Sequence, residues 1–216
     1  WINSLLSSPA THVVNIASNQ IVAGLAVPEK FLAATFSKVL RTENGVQYGE
    51  AMGQMYGIAA GMRDGFRLAY KALKSGETSD PAMKYEARKY NAFSAENIDK
   101  LEYPFVGGEI FDIKANSNVA KGLDFFGDWV IRLPSRFLGA EDEFFKSVGY
   151  RMELNSLAYR TAKSEGLEGA ELGARVRELV ENPSEEIHLG AVDASKYQTF
   201  TNDLGESGKQ AQKFIN

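Results

Sequence analysis

Apolar residues recur at helical spacing along most of the chain. Behind a turn-forming stretch at residues 7–11, Val13, Val14, Ile16, Ala17, Ile21, Val22 and Leu25 follow one another every few residues, which predicts a helix of about four turns. Pro28 disfavours helical geometry at Val27 but suits the first turn of a new helix. A corner is therefore expected there, with a second helix from residue 29 to about 41 whose apolar face is Phe31, Leu32, Ala34, Phe36, Val39 and Leu40. Asn44-Gly45 is a turn signal, and residues 47 to about 74 read as one long helix ended by Ser75 and Gly76. Residues 76–116 lose the pattern. With Pro81, Pro104 and Gly107-Gly108 they suggest an irregular connector carrying helical pieces near 84–91, or a short hairpin at 105–113.

The helical pattern then resumes. Ser117 or Asn118 can cap a helix through Leu123, Phe126, Trp129, Val130 and Ile131, closed by Pro134. Glu141, Asp142 and Glu143 suit the positive end of the next helix, which runs to about Ser164 with Phe144, Phe145, Val148, Met152, Leu154, Leu157 and Tyr159 on a wide apolar face. Residues 168–180 form another amphipathic helix, with Leu172, Val176, Leu179 and Val180 inward and Asn182-Pro183 as its stop. The polar tail from Ser184 is expected to hold one or two weakly attached helices. The fold class is mainly α, a bundle-like or extended helical assembly organised as residues 1–76, a connector at 77–116, a second helical unit at 117–182 and a polar segment at 183–216.

One pattern inside the long helix stands apart. Gly49, Gly53, Gly57, Gly61 and Gly65 lie four residues apart, although a glycine in a helix interior costs roughly 1 kcal/mol relative to alanine. A row without Cβ atoms forms a groove that another helix backbone can enter, and Ala51, Ala59 and Ala60 widen it. Because a four-residue step overshoots one turn, the row winds about 40° per glycine and calls for an inclined partner. The row serves either close packing within this fold or, with a partner outside it, self-association or membrane insertion.

Composition narrows the chemistry. A net charge of −4 argues against a broad nucleic-acid surface, and the absence of cysteine removes disulfides, thiolate metal sites and thiol nucleophiles. His12 and His188 are the only histidines, and a capping or packing role suits His12 better than catalysis. The three consecutive acids at 141–143 fan around a helix instead of converging, so they suit helix-end electrostatics better than metal ligation. Phosphate-cradling, nucleophile-elbow and metal-helix motifs are lacking. No catalytic, cofactor or metal site is expected, and no small-molecule substrate. Arg132, Arg136 and Lys146, with Trp129 and Phe137 nearby in sequence, are either a phosphate-contacting patch or a salt-bridged surface. No run of about 18 apolar residues is present to span a bilayer. The first residue is Trp1, and the sequence reads as a fragment of a longer polypeptide.

Two stretches carry a likeness. The first is Leu5-Leu6-Ser7-Ser8-Pro9-Ala10-Thr11-His12-Val13-Val14-Asn15, and the second is Leu133-Pro134-Ser135-Arg136-Phe137-Leu138-Gly139-Ala140-Glu141-Asp142-Glu143-Phe144-Phe145-Lys146. They resemble the large internal virion proteins of tailed bacteriophages, which are packaged in the capsid and ejected with the genome. The resemblance implies a non-catalytic, oligomeric segment of an ejection or DNA-transfer protein, in the capsid interior or portal region and then in the host envelope. Its partners would be further copies, other virion, portal or tail proteins and, transiently, the envelope and genomic DNA. The alternative is a helical scaffold within a large virion enzyme, such as a muralytic protein or a virion polymerase.

Overall fold

A computed structural model describes residues 8–42, 45–76 and 117–199, and the expected connector pieces at 84–91 and 105–113 lie outside them. The described residues are mainly α-helical, with six α-helices and no strand. These are α1 (Pro9–Leu40), α2 (Tyr48–Ser75), α3 (Asn118–Phe126), α4 (Leu133–Ser164), α5 (Gly169–Glu181) and α6 (Glu185–Gln198), with a π-helical turn at Gly127–Ile131 between α3 and α4. The chain divides into two compact units. One holds the described residues of Trp1–Ile16 and Arg67–Glu143, the other those of Ala17–Phe66 and Phe144–Asn216.

Three features of the helices differ from the sequence pattern, each for a physical reason. Pro28 does not make a corner, because α1 runs through it. A proline inside a helix removes one hydrogen bond and pushes on the preceding turn, and here Ala23, Ala26, Val27 and Phe31 on both sides of it pack into one apolar cluster with Val148 and Met152 of α4. Pro134 does not merely close the preceding helix, because it sits in the first turn of α4, where its missing N–H has no intrahelical partner to lose. Helix α4 therefore starts eight residues before Glu141, and the acidic triplet lies two turns inside it, away from the helix end it was expected to complement. The third difference is α6, which is firmly docked: Ile187 and Ala191 are buried with Leu154, Ala158, Ala162 and Leu179.

In the second unit α4 is the central element. One face of it meets α1 and α2 through Phe144, Val148 and Met152. Its opposite side meets α5 and α6 through Leu154, Ala158 and Ala162, and Leu172, Val176, Leu179 and Val180 of α5 point into that cluster as their spacing predicts. The α4–α5 connection uses Gly166 at φ 81° and Gly169 at φ 56°, left-handed conformations that other residues rarely adopt. Side chains also cap the helices: Ser117 accepts from Ala120 N, and Ser184 accepts from Ile187 N.

Exposed ion pairs tie α5 to the end of α4. Arg175 binds Glu165, and Lys163 binds Glu168, so both carboxyls are held below their usual value of 4.5, chiefly by the hydrogen bond each accepts. A lowered carboxyl pKa in the folded state adds stability that is present above about pH 4.5 and is lost as the pH falls through the lowered value. Arg175→Ala is thus expected to shrink the drop in melting temperature between pH 7 and pH 3. An unchanged drop in paired thermal melts would show that this pair adds nothing to acid sensitivity.

Candidate functional site

The glycine row and α4 run antiparallel in direct contact. A Cβ at Gly53 would sit 2.9 Å from the Asn155 carbonyl oxygen, one at Gly57 2.6 Å from the Met152 Cα, and one at Gly61 2.6 Å from the Val148 Cα. At the two ends aromatic rings fill the groove: the Tyr159 ring lies over Gly49, and Phe144 lies over Gly65. Ser147 Oγ donates to the Gly61 carbonyl at 3.3 Å, adding a polar lock to the backbone contact. Of the two partners open to the row on sequence grounds, it meets the internal one.

A ladder of polar pairs runs beside this seam. Glu50, only 1% exposed, accepts from the Gln47 backbone N–H at 3.0 Å, as the third residue of a capping box does, and from Arg160 at 2.6 and 3.0 Å. Glu153 accepts from Lys30 at 2.9 Å and from Gln54 at 3.0 Å, which joins α1, α2 and α4 at one carboxylate. Asp64 accepts from Arg151 Nε at 2.8 Å and pairs with its Nη2 at 2.6 Å. These bonds fix the register of α2 on α4, because a slip by one residue would part every pair. Each charged member of the ladder meets a neighbour of opposite charge or an amide, an arrangement suited to positioning.

The two stretches that carry the family likeness meet each other. His12 Nδ1 lies 2.9 Å from Glu141 Oε1, Asn15 Nδ2 donates to Glu141 Oε2 at 3.0 Å, and the His12 ring stands edge-on to Phe137. Sequence distance concealed this carboxylate partner, 129 residues away. Asp142 and Glu143 are also buried, so the acidic triplet works inside the packing. The other histidine, His188, is joined to the Tyr150 hydroxyl at 2.9 Å, and burial pushes that phenol's pKa up against the opposing charge of Arg151.

The cationic candidates do not form an open patch. Arg136 is buried, donates to the carbonyls of Leu73 and Lys74 at 3.3 and 3.1 Å at the end of α2, and lies 4.8 Å above the Trp129 ring. Its charge caps a helix C-terminus, where carbonyls lack intrahelical donors. Arg132 is buried as well, and the half-buried Lys146 belongs to the other compact unit. Among the described residues no group of three or more His, Asp or Glu side chains is placed to hold a metal ion, and no helix is long and apolar enough to cross a membrane.

What the surface offers instead is apolar. On α1 the large residues Val14, Ile21, Leu25, Leu32, Phe36 and Val39 are 59–72% exposed, and at 100° per residue they share an arc of about 60°. The buried side of the same helix carries Asn19, Val27 and Ala34. Helix α2 repeats the inversion: the glycines face α4, while Met52, Met55, Met62 and Tyr70 are exposed away from it. Periodicity finds such stripes but does not say which side of the helix the fold will cover, and the expected core face of residues 29–41 is in large part this outward face. Comparison with family models, with characterised proteins and with solved structures finds no match.

Proposed function

We propose that this chain is a structural segment of a bacteriophage internal virion protein, one that assembles with further copies and with other virion proteins into a core or conduit for genome delivery. The observation that carries the assembly reading is the patterning of α1 and α2, which bury mostly small and polar residues beside Val27, Phe31 and Ile58 and turn most of their large apolar side chains outward. Contiguous exposed apolar faces of this size mark interaction surfaces. The viral reading is supported by the two family-like stretches and by the contact of His12 and Asn15 with Glu141, which joins them into one structural unit. The polar interior lends itself to holding a framework, since its carboxylates are paired.

Quantitative mass spectrometry of purified particles of the phage that encodes this chain tests the proposal. The chain is expected in intact particles and is expected to be depleted from particles that have ejected their genome in vitro. Its absence from intact particles would remove the virion reading and leave the assembly surface without a viral role.

A further inference from the structure

The outward stripe of α1 has a spacing that reads the same in both directions. Val14, Ile21, Leu25, Pro28, Leu32 and Val39 are separated by steps of 7, 4, 3, 4 and 7 residues. An antiparallel copy of α1 centred between Ala26 and Val27 therefore sets Val14 against Val39, Ile21 against Leu32 and Leu25 against Pro28. The same operation brings the exposed Phe36 level with the exposed Ala17 of the copy. A two-fold interface needs such self-complementarity, because one patch must serve both subunits.

Charge and area agree with this occupant. Helix α1 has no Asp, Glu, Lys or Arg from Pro9 to Pro28, so its outward face sets no like charges against each other when it meets a copy of itself. Antiparallel pairing also places opposite ends of the helix dipoles together. Six large side chains, each exposing on the order of 100 Å², offer about 600 Å² per copy, near the ~800 Å² per partner of a standard interface. Gly24 adds a second kind of observation. A Cβ there would meet nothing within 4 Å, so the helix-weakening glycine has no internal packing to offset it, unlike the central glycines of α2, which meet α4 backbone. It sits on the flank of the stripe, about 60° round from Ile21, open to a neighbouring helix.

We infer that two copies of this chain pair antiparallel through the outward face of α1, about a two-fold axis near residues 26–27. This rests on the assembly part of the proposed function and not on its viral part. A chain found in virions but monomeric through α1 would fail here alone, and a chain absent from virions that still pairs would fail there alone.

The natural absence of cysteine makes the test direct. The full chain carrying Ile21→Cys is mixed with the full chain carrying Leu32→Cys and oxidised mildly. The mixed 21–32 disulfide is expected to dominate, since the two copies of residue 21 would stand about 16 Å apart along the axis at 1.5 Å per residue. Dominant 21–21 disulfides would overturn the antiparallel arrangement, and no cross-link would overturn the pairing. In sedimentation analysis Ile21→Glu should weaken self-association at least tenfold with the helical circular dichroism unchanged, because the side chain points outward. A wild-type chain that is monomeric in buffer and sediments with phosphatidylcholine–phosphatidylglycerol vesicles, losing this with Ile21→Glu, would assign the face to lipid and sink the inference.

Discussion

Gly57→Leu is expected to abolish the packing of α2 on α4. Position 57 is in the middle of the glycine row, and any Cβ there would have to occupy the space of the Arg151 and Met152 backbone. Flexible side chains can move aside, but helix backbone cannot without parting the two helices along their length. Overpacking in a core typically costs 1–3 kcal/mol, and a leucine against backbone belongs at or above the top of that range, far beyond the roughly 1 kcal/mol of helix propensity it regains. Parting the helices would also separate Glu50 from Arg160 and Asp64 from Arg151. Loss of the cooperative thermal transition, or a fall in denaturation midpoint equivalent to at least about 3 kcal/mol, is the expected result. Gly24→Ala is the control. With nothing near its Cβ, it should leave the monomer as stable as before or up to about 1 kcal/mol more stable. Gly57→Leu as harmless as Gly24→Ala would mean that close approach does not govern the row.

The contrast between those two glycines shows what the sequence carries and what it withholds. The spacing of Gly49 to Gly65 announces a close approach, because repeated loss of helix propensity needs an offset. It does not name the partner, since the α4 residues that enter the groove, from Phe144 to Tyr159, are varied in size and polarity. Helix existence was legible from period alone: the long helix at 47–74 is α2, and the stop at Ser164 falls where the pattern ends. The corner at Pro28 was not, because whether a proline bends or breaks a helix depends on what packs on both sides of it.

The candidate site was less legible than the fold, for a related reason. The apolar stripe of α1 is plain in the sequence, but a stripe is expected to face a core, and the fold instead covers the other side, with Asn19, Val27 and Ala34 buried and Lys30 bound to α4. Burying the small and polar side allows short, directional contacts such as Lys30 to Glu153, and leaves the large side chains to bind elsewhere. Arg132 and Arg136 were misleading in the opposite sense. Next to aromatic residues in sequence they suggest an anion site, yet Arg136 serves the carbonyls of α2. A long-range partner leaves no local signal, and the same holds for Glu141 with His12 and Asn15.

Arg160→Met is expected to be the most damaging change among the polar pairs. Glu50 is buried, and its carboxylate has two sources of compensation in the structure: the Gln47 N–H and the Arg160 guanidinium. Methionine keeps much of the arginine's stem but removes the charge and both donors, so Glu50 is left poorly compensated or opened to water. Removing one partner of a buried pair costs about 3–5 kcal/mol, and because Arg160 is half exposed and water can approach from its side, about 2–4 kcal/mol is expected here. Adding Glu50→Gln to Arg160→Met removes the unbalanced charge while keeping an acceptor for Gln47 N–H, so the double variant should recover at least about 1 kcal/mol of the loss. Urea denaturation of the wild type, both single variants and the double variant closes the cycle. If the double variant is as unstable as the sum of the singles, the two side chains are not coupled, and the register of α2 on α4 does not depend on this pair.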